Sequence, residues 1–271
     1  MVGSACDLVL VAGATGGVGQ LVVAKILEKT SFRVRVLTRN ADKAKNMFAE
    51  RVEIVYGDTR YPDPLPGAMV LVNYIICCTG TTAFPSSRWD LAISNNLFEW
   101  LQVYFNSSYR NSKAKNSPQK VDAEGVSNLV AAAPRDLKRF VLVSSCGVWR
   151  QERFPFSLLN AFGILDAKKK GEETLLSSGL PHTIIRPGRL IDGPYTSYDL
   201  NTLLKAKTNG KLGVVVGTGD TLSGQTSRID VAQACVESIL NPSARGKVFE
   251  IVNQGNRPAV IDWEKLFSRL I

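Results

Sequence analysis

Histidine is almost absent: His182 is the only one in 271 residues. That excludes a histidine-rich metal site and argues against histidine general-base chemistry. Cysteine is sparse as well. The five cysteines form no C-x-x-C pair and no second ligand cluster, which excludes a zinc ribbon and a disulfide framework. They read as small apolar fillers in a reducing compartment, Cys77 and Cys78 at the end of one apolar run and Cys146 after another. No run approaches the roughly 18 apolar residues of a membrane span, so none is expected. A basic-then-apolar leader is also missing, because the first strand begins almost at once. Acidic residues are the minority, 24 against 33 Lys and Arg, for a formal charge of +9. The bases are nevertheless dispersed. Their densest cluster, Lys168-Lys169-Lys170, sits in a helical stretch followed by Glu172 and Glu173. With no basic–aromatic alternation, a nucleic-acid groove is not expected. A ligand with several phosphates is sufficient reason for local positive charge.

What is present is a glycine turn in the right setting. The apolar run Leu8 to Ala12 leads into Gly13-Ala14-Thr15-Gly16-Gly17-Val18-Gly19 and then an amphipathic stretch to Lys29. Gly13 allows the tight turn, Gly16 lets the backbone approach a pyrophosphate, and Gly19 lets the helix close on the strand. The helix start then offers unpaired N–H groups and a positive dipole end to the anion, with Thr15, Gly17 and Val18 in the cradle.

Strands and helices alternate beyond it. Strands are expected at Arg33–Thr38, Val52–Tyr56, Val70–Cys77, Phe140–Ser144 and Thr183–Arg186, with helices around 41–48, Pro118–Ala133 and Leu159–Ser177. The fold expected is α/β, a Rossmann-like doubly wound parallel sheet. After Pro194 the pattern loosens. A helix at 200–208, a strand at 212–216, a helix at 230–240 opened by Asp230 as its N-cap, a strand at 248–252 and a closing helix at 263–270 are expected. The chain reads as one dinucleotide-binding domain over 1–271, with a core of 1–193 and a small C-terminal lobe of 194–271 over the strand ends. An insertion at 84–116 interrupts the rhythm. It is a tolerated insertion with a local helix, a substrate lid, or a docking element through the aromatic Leu97 to Phe105. Trp149 and Phe154 are assigned to the core in preference to the floor of a planar pocket.

Three strand ends carry cofactor signals. Strand two ends in Arg39, where an acidic residue would hold the ribose of NAD, whereas an arginine fork accommodates the 2′-phosphate of NADP. Lys43 follows one turn on. Strand three leads into Asp58, placed to accept from the adenine amine. Strand four leads into Thr79-Gly80-Thr81, small enough for the backbone to run beside the adenine ribose. NADP is the expected cofactor.

At this point the chain resembles the atypical short-chain dehydrogenase/reductases, in the NmrA-like group of chloroplast and cyanobacterial type. The resemblance covers nearly the whole chain. It rests on the glycine turn, Gly57-Asp58, Val143-Ser144-Ser145, Lys168 with Glu172, Thr183 to Gly188, and Ser227 to Ala232. It implies that Lys168 holds the nicotinamide ribose and that Ser144 or Ser145 bonds near the carboxamide, with Lys168 and Ser145 as the catalytic pair. It also implies a backbone contact from Pro187 and Gly188 to the carboxamide. One residue departs from the pattern. Active members carry a tyrosine one turn before the lysine as proton donor, and Ile164 stands there. Tyr195 and Tyr198 are possible substitutes. The resemblance therefore implies an NADPH-dependent reductase of acceptors that take their proton from water, such as a flavin or quinone. The alternative is a non-catalytic NADP(H) sensor or assembly factor with a protein partner at 97–105, and an epimerase ranks below both. Chloroplast residence follows from the resemblance alone; otherwise the protein reads as cytoplasmic.

Overall fold

Leu8–Ala12 (β1) is buried at every position, which is the mark of a parallel strand covered on both faces. The computed structural model describes residues 6–94, 96–192, 203–205, 208 and 211–270. From β1 the chain runs through α1 (Gly19–Lys29), β2 (Arg33–Thr38), α2 (Ala41–Phe48), β3 (Glu53–Tyr56), α3 (Leu65–Ala68) and β4 (Tyr74–Cys77). The inserted segment carries α4 (Leu97–Phe105) and α5 (Ser107–Lys113). A π-helical stretch, Gln119–Glu124, then runs into α6 (Gly125–Ala132), followed by β5 (Arg139–Val143), α7 (Phe156–Leu159), α8 (Ile164–Ser177) and β6 (His182–Pro187). The last elements are β7 (Arg189–Ile191), β8 (Leu212–Gly217), β9 (Gln225–Ser227), α9 (Arg228–Leu240), β10 (Val248–Asn256) and α10 (Trp263–Ser268).

The main sheet has the order β3-β2-β1-β4-β5-β6-β10-β8, parallel throughout except for the antiparallel edge β8. Alternation along each strand divides the core in two. Val9 and Val11 point to the side covered by α1, α9 and α10, whereas Leu8, Leu10 and Ala12 point to the side covered by α3, α6 and α8. The chain leaves β1 toward β2 and β3, then returns to β4 on the other flank. Such a reversal opens a crevice at the carboxyl ends of the two central strands.

Three expectations change. The stretch expected as a separate lobe at 194–271 joins the main sheet: β10 pairs with β6, β8 pairs with β10, and α9 packs against α1. Burial on the common sheet explains it, since Phe249 and Ile251 are fully buried in the main core. Strand four begins at Tyr74 rather than Val70, because Val70 and Leu71 form an exposed turn with Leu71 at φ +63°. The helix expected from Leu159 breaks at Gly163 (φ +78°) and restarts at Ile164, with the Asn160 side chain accepting from Leu165 N at 2.8 Å. Of the helix expected at 200–208, most lies outside the described residues.

Candidate functional site

The crevice is a cleft of about 650 Å³ across the carboxyl ends of β1, β2, β3 and β4. Gly13, Thr15, Gly16 and Gly17 form its floor. Gly13 sits at φ +77°, and a Cβ there would lie 2.7 Å from the Cys78 backbone. A Cβ on Gly19 would fall 2.2 Å from the Gly13 carbonyl oxygen, so only glycine lets α1 start this close to β1. Gly16 donates to Gly13 O at 3.0 Å and closes the turn. Val18 is buried beneath it at the N-cap and does not line the cleft. This arrangement accepts an anion at the start of α1, where backbone N–H groups and the dipole point outward.

At the β2–β3 end, Arg39, Lys43, Asp58 and Arg60 line the wall. Asp58 is held by Arg60, whose Nε lies 3.0 Å from both carboxylate oxygens and whose Nη2 lies 2.5 Å from Oδ2. Partial burial pushes the Asp58 carboxyl upward, but the Arg60 hydrogen bonds outweigh it and hold the group below the usual carboxylate range. Arg39 Nη1 donates to Asn116 Oδ1 at 2.9 Å and stands 3.9 Å from Asp58. The insertion therefore reaches this wall: Ser87, Arg88 and Asn116 line the same cleft.

The other end is drier. Thr79, Gly80 and Thr81 follow β4, and Gly80 lies over Lys168, a Cβ there falling 3.6 Å from Nζ. Lys168 projects from α8 onto the fully buried Asp122, Nζ to Oδ1 2.8 Å, while Asp122 Oδ2 accepts from Thr81 N at 3.2 Å. Glycine makes that pairing possible. A Cβ on Gly171, one turn beyond Lys168, would lie 2.6 Å from the Asp122 carbonyl oxygen. Asp122 itself stands in the π-helical stretch, a distortion frequent at functional positions. Beside the pair, a small cavity of about 10 Å³ is lined by Thr79, Asp122, Ser144 and Lys168. Among the described residues the buried hydroxyls of Ser144 and Thr81 have no hydrogen-bond partner.

The expected residues thus divide. Gly13, Thr15, Gly16, Gly17, Arg39, Asp58, Thr79, Gly80 and Thr81 share the main cleft. Lys168 and Ser144 meet at its inner end. Ser145 does not join them, since its hydroxyl turns back to Cys146 O at 3.0 Å. Pro187 ends β6 and accepts from Cys146 N. The Gly188 amide is committed to Ile251 O at 3.0 Å and Thr226 Oγ1 at 2.9 Å, and neither residue lines the cleft. Ile164 opens α8 one turn before Lys168 and is buried. Tyr195 and Tyr198 lie outside the described residues. Asp230 is not the N-cap of α9. Ser227 Oγ fills that role, accepting from Ile229 N, while buried Asp230 binds Arg257 at 2.8 Å. Trp149 and Phe154 are 53% and 83% exposed rather than in the core. Lys169 Nζ sits 4.7 Å from the Trp149 ring centre.

Sequence reasoning missed Asp122, Arg60, Arg88 and Asn116 as neighbours of the cleft. The signal for Asp122 was present, a single carboxylate on the buried side of an apolar helical stretch. It missed one partnership as well. Glu172 and Arg186 form a buried two-bond pair, 3.0 and 2.5 Å, that ties α8 to β6.

Residues 13–242 match the model of the NAD(P)H-binding family. The chain is 30% identical over 97% of its length to Protein TIC 62, chloroplastic, of Pisum sativum, covering 46% of that protein. It therefore spans less than half the length of that relative. It is 29% identical to sanguinarine reductase of Eschscholzia californica, covering 97% of this chain and 95% of that one. Among solved structures, ChuY, an anaerobilin reductase from Escherichia coli O157:H7, superposes with a TM-score of 0.66 at 20% identity. The match covers 93% of this chain and 100% of that one, a likeness of fold. Glycine cleft, strand order and sequence agree: the chain belongs to the NAD(P)H-binding family, as an atypical short-chain dehydrogenase/reductase.

Proposed function

We propose that the protein is an NADPH-dependent reductase that passes hydride to a small planar acceptor such as a flavin or quinone. The observation that carries this reading is the Lys168–Asp122 pair at the inner end of the glycine cleft, with Ile164 where an acid would stand. The residues fit the cofactor. The glycine floor leaves bare backbone at the start of α1, and the buried Ser144 hydroxyl, without a hydrogen-bond partner among the described residues, lines the small cavity with Lys168. In this reading the backbone of Gly13, Thr15, Gly16 and Gly17 holds the pyrophosphate, with Val18 packed beneath it, and Arg39 holds the 2′-phosphate. Thr79 to Thr81 hold the adenine-side ribose and Lys168 the nicotinamide ribose.

Bound NADPH supplies the hydride. The protein's share is position, since Asp122 holds the Lys168 ammonium on one line and Gly80 leaves room above it. Ser144, whose hydroxyl has no hydrogen-bond partner among the described residues, replaces Ser145 as the polar contact near the carboxamide. No side chain one turn before Lys168 can give a proton, so the acceptor is one whose reduced form takes its proton from water. The name of sanguinarine reductase supports a small-molecule acceptor, and that of TIC 62 supports residence in the chloroplast.

The test is NADPH oxidation with a panel of flavins and quinones. Turnover that falls at least about tenfold in Lys168→Ala supports the reading, and turnover unchanged by that substitution overturns the site assignment. Tight NADPH binding without turnover would favour the second reading, a cofactor-dependent assembly factor. That reading has one observation of its own: Phe98 and Phe105 of α4 are 78% and 85% exposed.

A further inference from the structure

We infer that the inserted segment supplies a specificity wall of the cofactor cleft, with Arg88 as a second arginine for the 2′-phosphomonoester. This inference rests on the NADP reading above. The turn that carries Arg88 is anchored from both sides. Trp89, buried, donates from Nε1 to Thr82 O at 2.9 Å and packs edge-on against Phe162. Ser86 caps the turn, accepting from Arg88 N at 3.3 Å. Across the neck of the insertion, Asn116 N donates to Trp89 O at 2.9 Å, and Asn116 Nδ2 donates to Arg88 O at 3.0 Å. The backbone of Arg88 is thus fixed while its side chain, which lines the cleft, is exposed.

Asn116 joins the two arginines. Its Oδ1 accepts from Arg39 Nη1 and its Nδ2 donates to the carbonyl of Arg88. Only one orientation of the amide satisfies both, because a guanidinium only donates and a carbonyl only accepts. A residue 77 positions beyond Arg39 therefore sets where that guanidinium points.

The charges at this end differ in how far they are committed. Arg60 is spent, with Nε and Nη2 on Asp58 and Nη1 on the Lys115 carbonyl at 2.6 Å. It cancels Asp58, the one carboxylate of this wall among the described residues, which would otherwise repel a phosphate. Arg39 has given one donor to Asn116 and has the rest of its fork available. Arg88 has given none: among the described residues its guanidinium has no hydrogen-bond or ion-pair partner. A phosphomonoester dianion offers three acceptor oxygens, enough for two forks. A residue that reads only the 2′-phosphate should matter to NADP and be indifferent to NAD.

Adenosine 2′,5′-bisphosphate and 5′-AMP differ only in that phosphate and need no nicotinamide, so they are the probes. Calorimetric titration of the wild-type chain should give tighter binding of the bisphosphate by about tenfold or more. Arg88→Gln should weaken the bisphosphate by roughly tenfold and leave 5′-AMP unchanged, and Asn116→Ala should have the same selectivity with a smaller loss. Added salt should shrink the wild-type preference more than that of Arg88→Gln. An unchanged melting temperature checks that the exposed substitution leaves the fold intact. A wild-type chain with no preference would sink the NADP reading, and this inference with it. A wild-type preference retained in Arg88→Gln would overturn the role of Arg88 alone, as would equal weakening of both probes.

Discussion

The two ends of the cleft are built on opposite principles. At the β2–β3 end, exposed cations from distant parts of the chain converge on open space, and their partners are other surface groups. At the β5–α8 end, one cation is locked to one buried carboxylate, with glycines at 80 and 171 keeping side chains out of the way. The first end is suited to recognition, because exposed charge is cheap to hold and strengthens when a ligand excludes water. The second is suited to orientation, because a buried pair has one low-energy geometry. What the second end lacks is an acid at Ile164. On the proposed reading, many side chains serve recognition while the catalytic end is reduced to an orienting lysine.

That contrast can be broken at either end. The largest effect belongs to Asp122→Ala, which leaves Lys168 partly buried without its partner. Urea unfolding should show a loss of about 3–5 kcal/mol, and a loss under 1 kcal/mol would mean the pair is not the anchor described. At the other end, Arg39→Asp should weaken NADPH by about 2 kcal/mol with the melting temperature held, and spare NADH. Equal losses for the two cofactors would erase the distinction between the ends. Gly171→Ala tests the packing that brings α8 to the π-helical stretch. Overpacking there should cost about 1–3 kcal/mol and weaken cofactor binding together with stability.

Smaller effects sharpen the comparison. The Asp58 carboxyl is held below its usual range, so its bond to Arg60 contributes fully above the unfolded value near ~3.9 and is lost as pH falls through the lower folded value. The stability difference between wild type and Arg60→Ala should therefore be flat at neutral pH and shrink only in acid. A difference that varied between about pH 5 and 8 would contradict the assignment. The thiols give the smallest effect. Burial pushes Cys77 up to about 11 and Cys146 up to about 12, whereas Cys6 is exposed. Iodoacetamide on the native chain at mildly alkaline pH should modify Cys6 and spare the other two, read by peptide mass.

The fold was legible because its signals are local. A parallel strand buried on both faces is a continuous apolar run, and Leu8 to Ala12 announces itself as one. Gly19 is explained by its approach to Gly13 six residues earlier, and Gly13 by its own left-handed backbone, so their spacing carries the turn even though Gly13 also meets the distant Cys78. The positions of Arg39 on the cleft wall and Lys168 at its inner end were legible for the same reason, each standing at a fixed distance from a strand or helix signal. The partners were not. Asp122 meets Lys168 across 46 positions and Asn116 meets Arg39 across 77, distances at which pattern carries no information. Likeness points to Ser145, but only the structure shows that its hydroxyl turns back to Cys146 O while Ser144 lines the small cavity with Lys168. Asp230 has the composition of a cap, but Arg257 claims it from 27 residues away. Val70 and Leu71 are apolar enough for a strand and are exposed in a turn, because the chain must clear α3 before β4 can begin.

The neck of the insertion has a consequence for how the chain can change over time. Residues 91 and 114 form an antiparallel bridge, and the amides of Ala92, Lys115 and Asn116 extend it on either side. Beyond that clasp the segment also touches the body of the molecule at Phe162, where the Tyr104 ring packs edge-on at 5.5 Å and the Arg110 guanidinium lies 5.0 Å from the ring centre. Arg88 and Asn116 lie on the cleft side of it. Length and surface character between these two anchors are freer to drift than the anchors themselves, because closing a longer loop adds only about 0.6 kcal/mol per doubling. Clasp and Phe162 contact hold the segment at two places, so new surface can be acquired between them while the residues at its base stay in register with the cleft.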